Sequence, residues 1–216
     1  MIGTASLGMS AQEVADSTKK VVLPQEVEML DVAGKLVKYG YENGEALPLI
    51  QAVEIYRSVG AKDFQGQKTE EGTAVETGVK AGSKVSYDLS QILADAAQLA
   101  EGDANLIALI DGLKNAEPTR GATRNYDVHT DTVRAGGTDI YKISFRGGEQ
   151  AIVVVSGDGD TDLDLYVYDS NGNCVASDYD YTDDCVASWT PRWTGEFTIK
   201  IMNRGNVYNR YRMAVN

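Results

Sequence analysis

Gly148–Asn173 reads GEQAIVVVSGDGDTDLDLYVYDSNGN, two strand-like runs joined by an acidic turn. Ala151–Val155 is an unbroken apolar run of the kind a buried strand carries. Asp158, Asp160, Asp162 and Asp164 then occupy every second position. Leu163, Leu165 and Val167 alternate with Tyr166 and Tyr168, the period of a half-buried strand, and Asn171-Gly172 supplies the next turn.

Outward from this stretch the period of two continues. Tyr141, Ile143 and Phe145 alternate with Lys142 and Ser144, and Phe197, Ile199 and Ile201 alternate with Thr198 and Lys200. Val207, Asn209, Tyr211, Met213 and Val215 form a last alternating run. With the regions around Cys174 and Cys185–Trp189, these make about seven short strands separated by Gly, Asn and Asp turns, the spacing of an antiparallel sandwich or jelly roll. The first half has a different period. Val27, Leu30, Ala33 and Val37 follow Pro24 at helical spacing, and Leu49, Ala52, Val53 and Tyr56 repeat the pattern. Ser90 stands where an N-cap is needed for Ile92, Leu93, Ala96 and Leu99, and Asp103 caps a run through Leu106, Ile107, Ile110 and Leu113. Residues 62–88 fit neither period and suit a short hairpin or a loop. The expectation is an α+β chain in two parts, a small N-terminal helical bundle followed by a C-terminal antiparallel, jelly-roll-like β-sandwich. Its parts are a terminal segment over 1–22, a helical domain over 23–115, a polar linker over 116–126 and the sandwich over 127–216.

The stretches DIYKISFRGGEQAIVVVSG, DTDLDLYVYDSNGN and TGEFTIKIMNRGNVYNRYRMAV resemble the bacterial pre-peptidase C-terminal domain, a small β-sandwich appended to many exported proteins. The resemblance covers residues 127–216. It implies a non-catalytic accessory role, a secreted or periplasmic location, and in some members calcium or matrix-polymer binding. Residues 1–120 resemble no family.

Chemistry concentrates in the acidic turns. Calcium takes six to eight oxygen ligands, and closely spaced carboxylates supply them. Asp158, Asp160, Asp162 and Asp164 are the first candidates, with Asp180 and Asp183 from a second cluster that also holds Asp178 and Asp184. The string is not an EF-hand, because Leu163 stands where glycine is required and Asp169 where glutamate is. Aspartates also form turns for their own sake, and Arg192, Arg204 and Arg210 are alternative counter-charges. Trp189, Trp193, Tyr166 and Tyr168 make a second candidate site, an aromatic surface for a polysaccharide or an extracellular protein; core packing and strand-face covering are the competing roles. His129 is the only histidine, and no nucleophile motif or phosphate-binding loop accompanies it, so nucleophilic catalysis finds little support; a hydrolase of unrecognised type with carboxylate chemistry in the helical half is the enzymatic alternative.

Composition sets the outer bounds. The 216 residues carry a formal charge of -12, which disfavours nucleic acid and anionic membrane surfaces as partners. No run approaches the length of a membrane span. Cys174 and Cys185 flank a polar segment, and a disulfide between them would stabilise by about 3 kcal/mol and mark an oxidising compartment. Two free thiols are the alternative. The small residues of Met1–Ala11 suit either the tail of a signal peptide or a frayed terminus.

Overall fold

In a computed structural model the described residues are 23–60, 62–64, 66–72, 77–78, 80, 85–116 and 126–216. The signal-peptide reading of the terminus and most of the expected linker lie outside them. Four helices come from the first half: α1 (Gln25–Asn43), α2 (Ala46–Ser58), α3 (Leu89–Leu99) and α4 (Ala104–Asn115). Between α2 and α3 run two short strands, β1 (Lys62–Asp63) and β2 (Lys68–Glu71). Eight more strands follow: β3 (Asp127–Val133), β4 (Thr138–Phe145), β5 (Ala151–Ser156), β6 (Leu163–Tyr168), β7 (Cys174–Asp178), β8 (Asp184–Trp189), β9 (Gly195–Asn203) and β10 (Asn209–Val215).

The strands form two five-stranded sheets, sheet A in the order β1-β3-β10-β5-β8 and sheet B in the order β2-β4-β9-β6-β7. All pairings are antiparallel except β1 with β3. From β3 onward the chain changes sheet at every connection but the β6–β7 hairpin, which is the winding of a jelly roll. The expected α+β chain with a β-sandwich is therefore the fold. Residues 62–71 hold no hairpin, because β1 joins the edge of one sheet and β2 the edge of the other.

Two apolar cores make three layers of this architecture. One lies between the sheets, where Leu163, Leu165, Ile199, Ile201, Tyr211 and Met213 are wholly buried. The other lies between the helices and the outer face of sheet A, joining Val27, Leu49, Val53 and Ile92 to Val128, Ile152, Val154 and Ala214. Sheet A is thus covered on both faces. This explains the unbroken run of β5, whose six residues are all buried. Alternation survives in β6, where Leu163, Leu165 and Val167 point inward while Tyr166 and Tyr168 stay half-exposed.

Local signals place the helices. α1 follows Pro24 and ends at Gly44, whose φ of 67° is the left-handed cap a side chain would strain. The cap of α3 is Asp88 rather than Ser90: its carboxylate accepts the Gln91 amide at 2.7 Å. Asp103 caps α4 through the amides of Asn105 and Leu106. At Gly34 the backbone of α1 lies directly on Ser156 of β5, and any side chain there would collide with it. That close approach sets the seat of the helical layer on sheet A.

Candidate functional site

The acidic turns meet basic residues of the helical half. Lys80 Nζ lies 2.6 Å from Asp158 Oδ2 and 2.6 Å from Asp160 Oδ2, over the ring of Tyr208. Lys38 of α1 reaches Asp183 at 3.0 Å and also pairs with Asp184. Burial works against the charge of both lysines, but the paired carboxylates outweigh it and hold both pKa values above the ordinary one. Arg204 pairs with Asp164. Asp180 is turned inward on its own loop, accepting the amide and hydroxyl of Thr182 at 2.8 and 2.7 Å. Asp162 keeps one buried oxygen without a hydrogen bond, and its pKa is raised by desolvation and by Asp164 and Asp180.

These positions do not fit a calcium cage. Asp162 and Asp184 each keep one buried oxygen without a hydrogen bond, Asp158, Asp160, Asp164 and Asp183 are held by three cations and Asp180 by Thr182, which falls short of six converging ligands. Among the described residues no three His, Cys, Asp or Glu side chains gather as metal ligands. Lys38, Lys80 and Arg204 occupy the counter-charge role that calcium was expected to fill. Arg210 contributes differently, donating its amide to Asp158 at 2.9 Å and its guanidinium to the Val85 carbonyl at 2.7 Å.

The cysteines are free, with Cys174 exposed and Cys185 buried. The expected disulfide is corrected by register: Cys174 lies opposite Tyr168 at one end of β6, while Cys185 Sγ contacts the Leu163 carbonyl at the other. Five residue steps along the strand separate those points, about 16 Å, well beyond the roughly 7 Å limit for bridged Cα atoms. Desolvation raises the Cys185 pKa far above its ordinary value and keeps it a neutral thiol.

The four aromatic candidates divide. Trp189 belongs to the inter-sheet core, 9% exposed, with its ring 4.7 Å from Phe145 and 5.4 Å from Phe197. It is corrected to a packing residue, as its alternation with Ala187 and Cys185 on β8 requires. Trp193, at 55%, is exposed on the turn before β9. Tyr166 and Tyr168 lie together on the outer face of sheet B with ring centroids 6.5 Å apart. Tyr179 extends the row, its ring 6.1 Å from Tyr166 and within 6° of parallel.

Beside this row Lys200 and Arg204 are each paired with a carboxylate, and Asp178 and Asp180 flank Tyr179. Tyr166 is opposite Lys200 in the β6–β9 register, and Lys200 Nζ lies 3.1 Å from Glu71 of β2 and 6.0 Å from the Tyr168 ring centre. Arg204 pairs with Asp164 and reaches the Tyr166 hydroxyl at 3.5 Å. Tyr179, Lys200 and Glu71 come from three different elements. Only Tyr179 had a sequence signal, its place among the tyrosines of the acidic loops.

A buried polar clasp closes one end of the sandwich. Lys68 of β2 lies 2.9 Å from Asp131 and 3.4 Å from Asp139, and Tyr211 donates to Asp139 at 2.7 Å. Tyr141 and Tyr211 share a hydroxyl contact, and His129 Nε2 stands 3.1 Å from Asp131. Burial raises Asp139 to about 6, against the pull of Tyr211 and Lys68. None of the clasp was foreseen as a unit.

No family model and no curated protein matches the chain. Among solved structures, part of the chain is similar to Aeromonas hydrophila PliG, a periplasmic inhibitor of g-type lysozyme, at 13% identity and a TM-score of 0.34 over 42% of this chain and 84% of that one. The Yersinia pseudotuberculosis-derived mitogen matches at 16% identity and a TM-score of 0.33, over 43% and 85%. At these scores the likeness carries no functional reading to this chain. No described helix is long and apolar enough to cross a membrane.

Proposed function

We propose that this protein is a non-catalytic, exported binding module that holds a neutral polysaccharide chain on the outer face of sheet B. The observation that carries the reading is the row Tyr168–Tyr166–Tyr179 on the sheet whose outer face the helices leave open. Parallel aromatic faces bury the apolar face of a sugar ring, and a row of them suits a chain better than a single residue. Lys200 is balanced by Glu71 and Arg204 by Asp164, and Asp178 and Asp180 flank Tyr179, so the charges at the row disfavour an anionic ligand. The chain's charge of -12 disfavours a polyanion. Export rests on the resemblance to the pre-peptidase C-terminal domain, since the free thiols give no argument for an oxidising compartment.

Affinity electrophoresis and pull-down on a panel of neutral soluble and insoluble polysaccharides test this. Retention by at least one polymer is expected, with Tyr166→Ala and Tyr179→Ala each weakening it by about 0.5–1.5 kcal/mol, roughly 2- to 12-fold. Retention unaffected by both substitutions, or none across the panel, would reject the tyrosine face as the site.

A further inference from the structure

The polar clasp between the sheets holds an edge strand that has little else to hold it. β2 is four residues long, and three of its side chains are exposed. Its backbone pairs with β4, which sets Lys68 opposite Tyr141 and Glu70 opposite Asp139. Glu71 meets Lys200, and Glu70 meets Arg134, at the surface, where ion pairs hold little. Lys68 is therefore the anchor. Its Nζ lies 3.0 Å from Glu70, 2.9 Å from Asp131 of β3 and 3.4 Å from Asp139 of β4, so one ammonium serves three carboxylates and spans both sheets. The other groups facing this point are Tyr141 of β4 and Tyr211 of β10, whose hydroxyls touch, and His129 of β3, whose Nε2 stands 3.1 Å from Asp131. Asp139, 2% exposed, is the carboxylate of the three that is shut away from water.

With Asp139 ionised, three negative charges face Lys68; with Asp139 protonated, two do, and Tyr211 still bonds the carboxyl at 2.7 Å. Burial opposes the charges of Lys68 and Asp131, but their pairing prevails and holds Lys68 above, and Asp131 below, its ordinary value. At Asp139 burial prevails instead and raises the carboxyl to about 6. We infer that the clasp is a proton-operated latch on β2: one proton taken up between the sheets seats the strand on β4, and its loss lets the strand lift. Lifting withdraws Lys68 and opens the gap between β3 and β4 to water, where the carboxyl returns to its ordinary 3.8. The seated strand thus binds the proton more tightly than the lifted one, so acid favours seating, and the lifted state gains until pH has passed about 6. From pH 5 to 7.5 that difference multiplies lifting about tenfold. His129 faces Asp131 rather than Asp139 and does not operate the latch. The latch is independent of the polysaccharide reading.

Hydrogen exchange of the full-length protein tests this, read by mass spectrometry in peptides over 66–72 and 209–215 and corrected for the intrinsic effect of pH on exchange. The amides of β2 should exchange well ahead of those of β10, which lies in the middle of sheet A, because the strand lifts without global unfolding. Their protection should fall about tenfold from pH 5 to 7.5. Asp139→Asn should remove that fall, and His129→Gln should keep it. Protection of β2 that is equal at the two pH values, that rises with pH, or that matches β10 overturns the inference on the unsubstituted protein alone. A tenfold fall that survives Asp139→Asn overturns it as well.

Discussion

Trp189 and Trp193 stand four residues apart, and substituting each has a different consequence. Trp189 fills the sandwich end against Phe145 and Phe197, so Trp189→Ala should cost about 3–5 kcal/mol of stability, read from chemical denaturation. Trp193 is exposed on its turn, and Trp193→Ala should shift stability by under about 0.5 kcal/mol. Asp139 makes a pH prediction. Its pKa is about 6 in the fold against the ordinary carboxylate value of 3.8, so the folded state favours the protonated carboxyl. Its contribution is most favourable below about pH 4 and is lost as pH rises through about 6. Asp139→Asn removes this dependence while leaving Lys68 to Asp131 and Glu70. The variant should therefore gain on the wild type by on the order of 1–3 kcal/mol between pH 4 and pH 7, measured by urea unfolding across that range.

Among the elements, α1 is tied to the β7–β8 turn by one residue. Lys38→Met leaves Asp183, whose side chain is 6% exposed, without its cation and should destabilise by about 3–5 kcal/mol. Because the counter-charges are lysine and arginine side chains, adding excess chelator should leave the thermal midpoint unchanged; a chelator-sensitive midpoint would return Asp162 and its neighbours to the role of metal ligands. These pairings explain what the sequence could and could not disclose. The apolar run of β5, the periods of β6 and β9 and the apolar stripes of α2 and α4 are local, and they are legible in a short window. Lys38 and Asp183 are 145 residues apart, and nothing in either neighbourhood names the other. The same distance problem hid β1 and β2, which are too short to show a period and exist by pairing with β3 and β4. The aspartates were legible as a charge problem; the answer to it lay in the other half of the chain.

At the scale of the whole molecule, the helical layer is part of the sandwich rather than an attachment to it. Removing residues 23–116 would bare Val128, Ile152, Val154 and Ala214 on sheet A and strip both sheets of an edge strand. Residues 122–216 made alone should bind a hydrophobic dye and associate in size-exclusion chromatography, unlike the full chain. Register has a further consequence, one of time. β10 lies in the middle of sheet A, hydrogen-bonded to β3 on one side and β5 on the other. A chain made from its N-terminus can close neither sheet A nor the core beneath the helices until residues 209–215 exist. Every earlier intermediate carries β3 and β5 as unjoined neighbours with their apolar faces in water. Folding is therefore deferred until synthesis has passed almost the whole of the sandwich, and the growing chain stays long in a loose, threadable state.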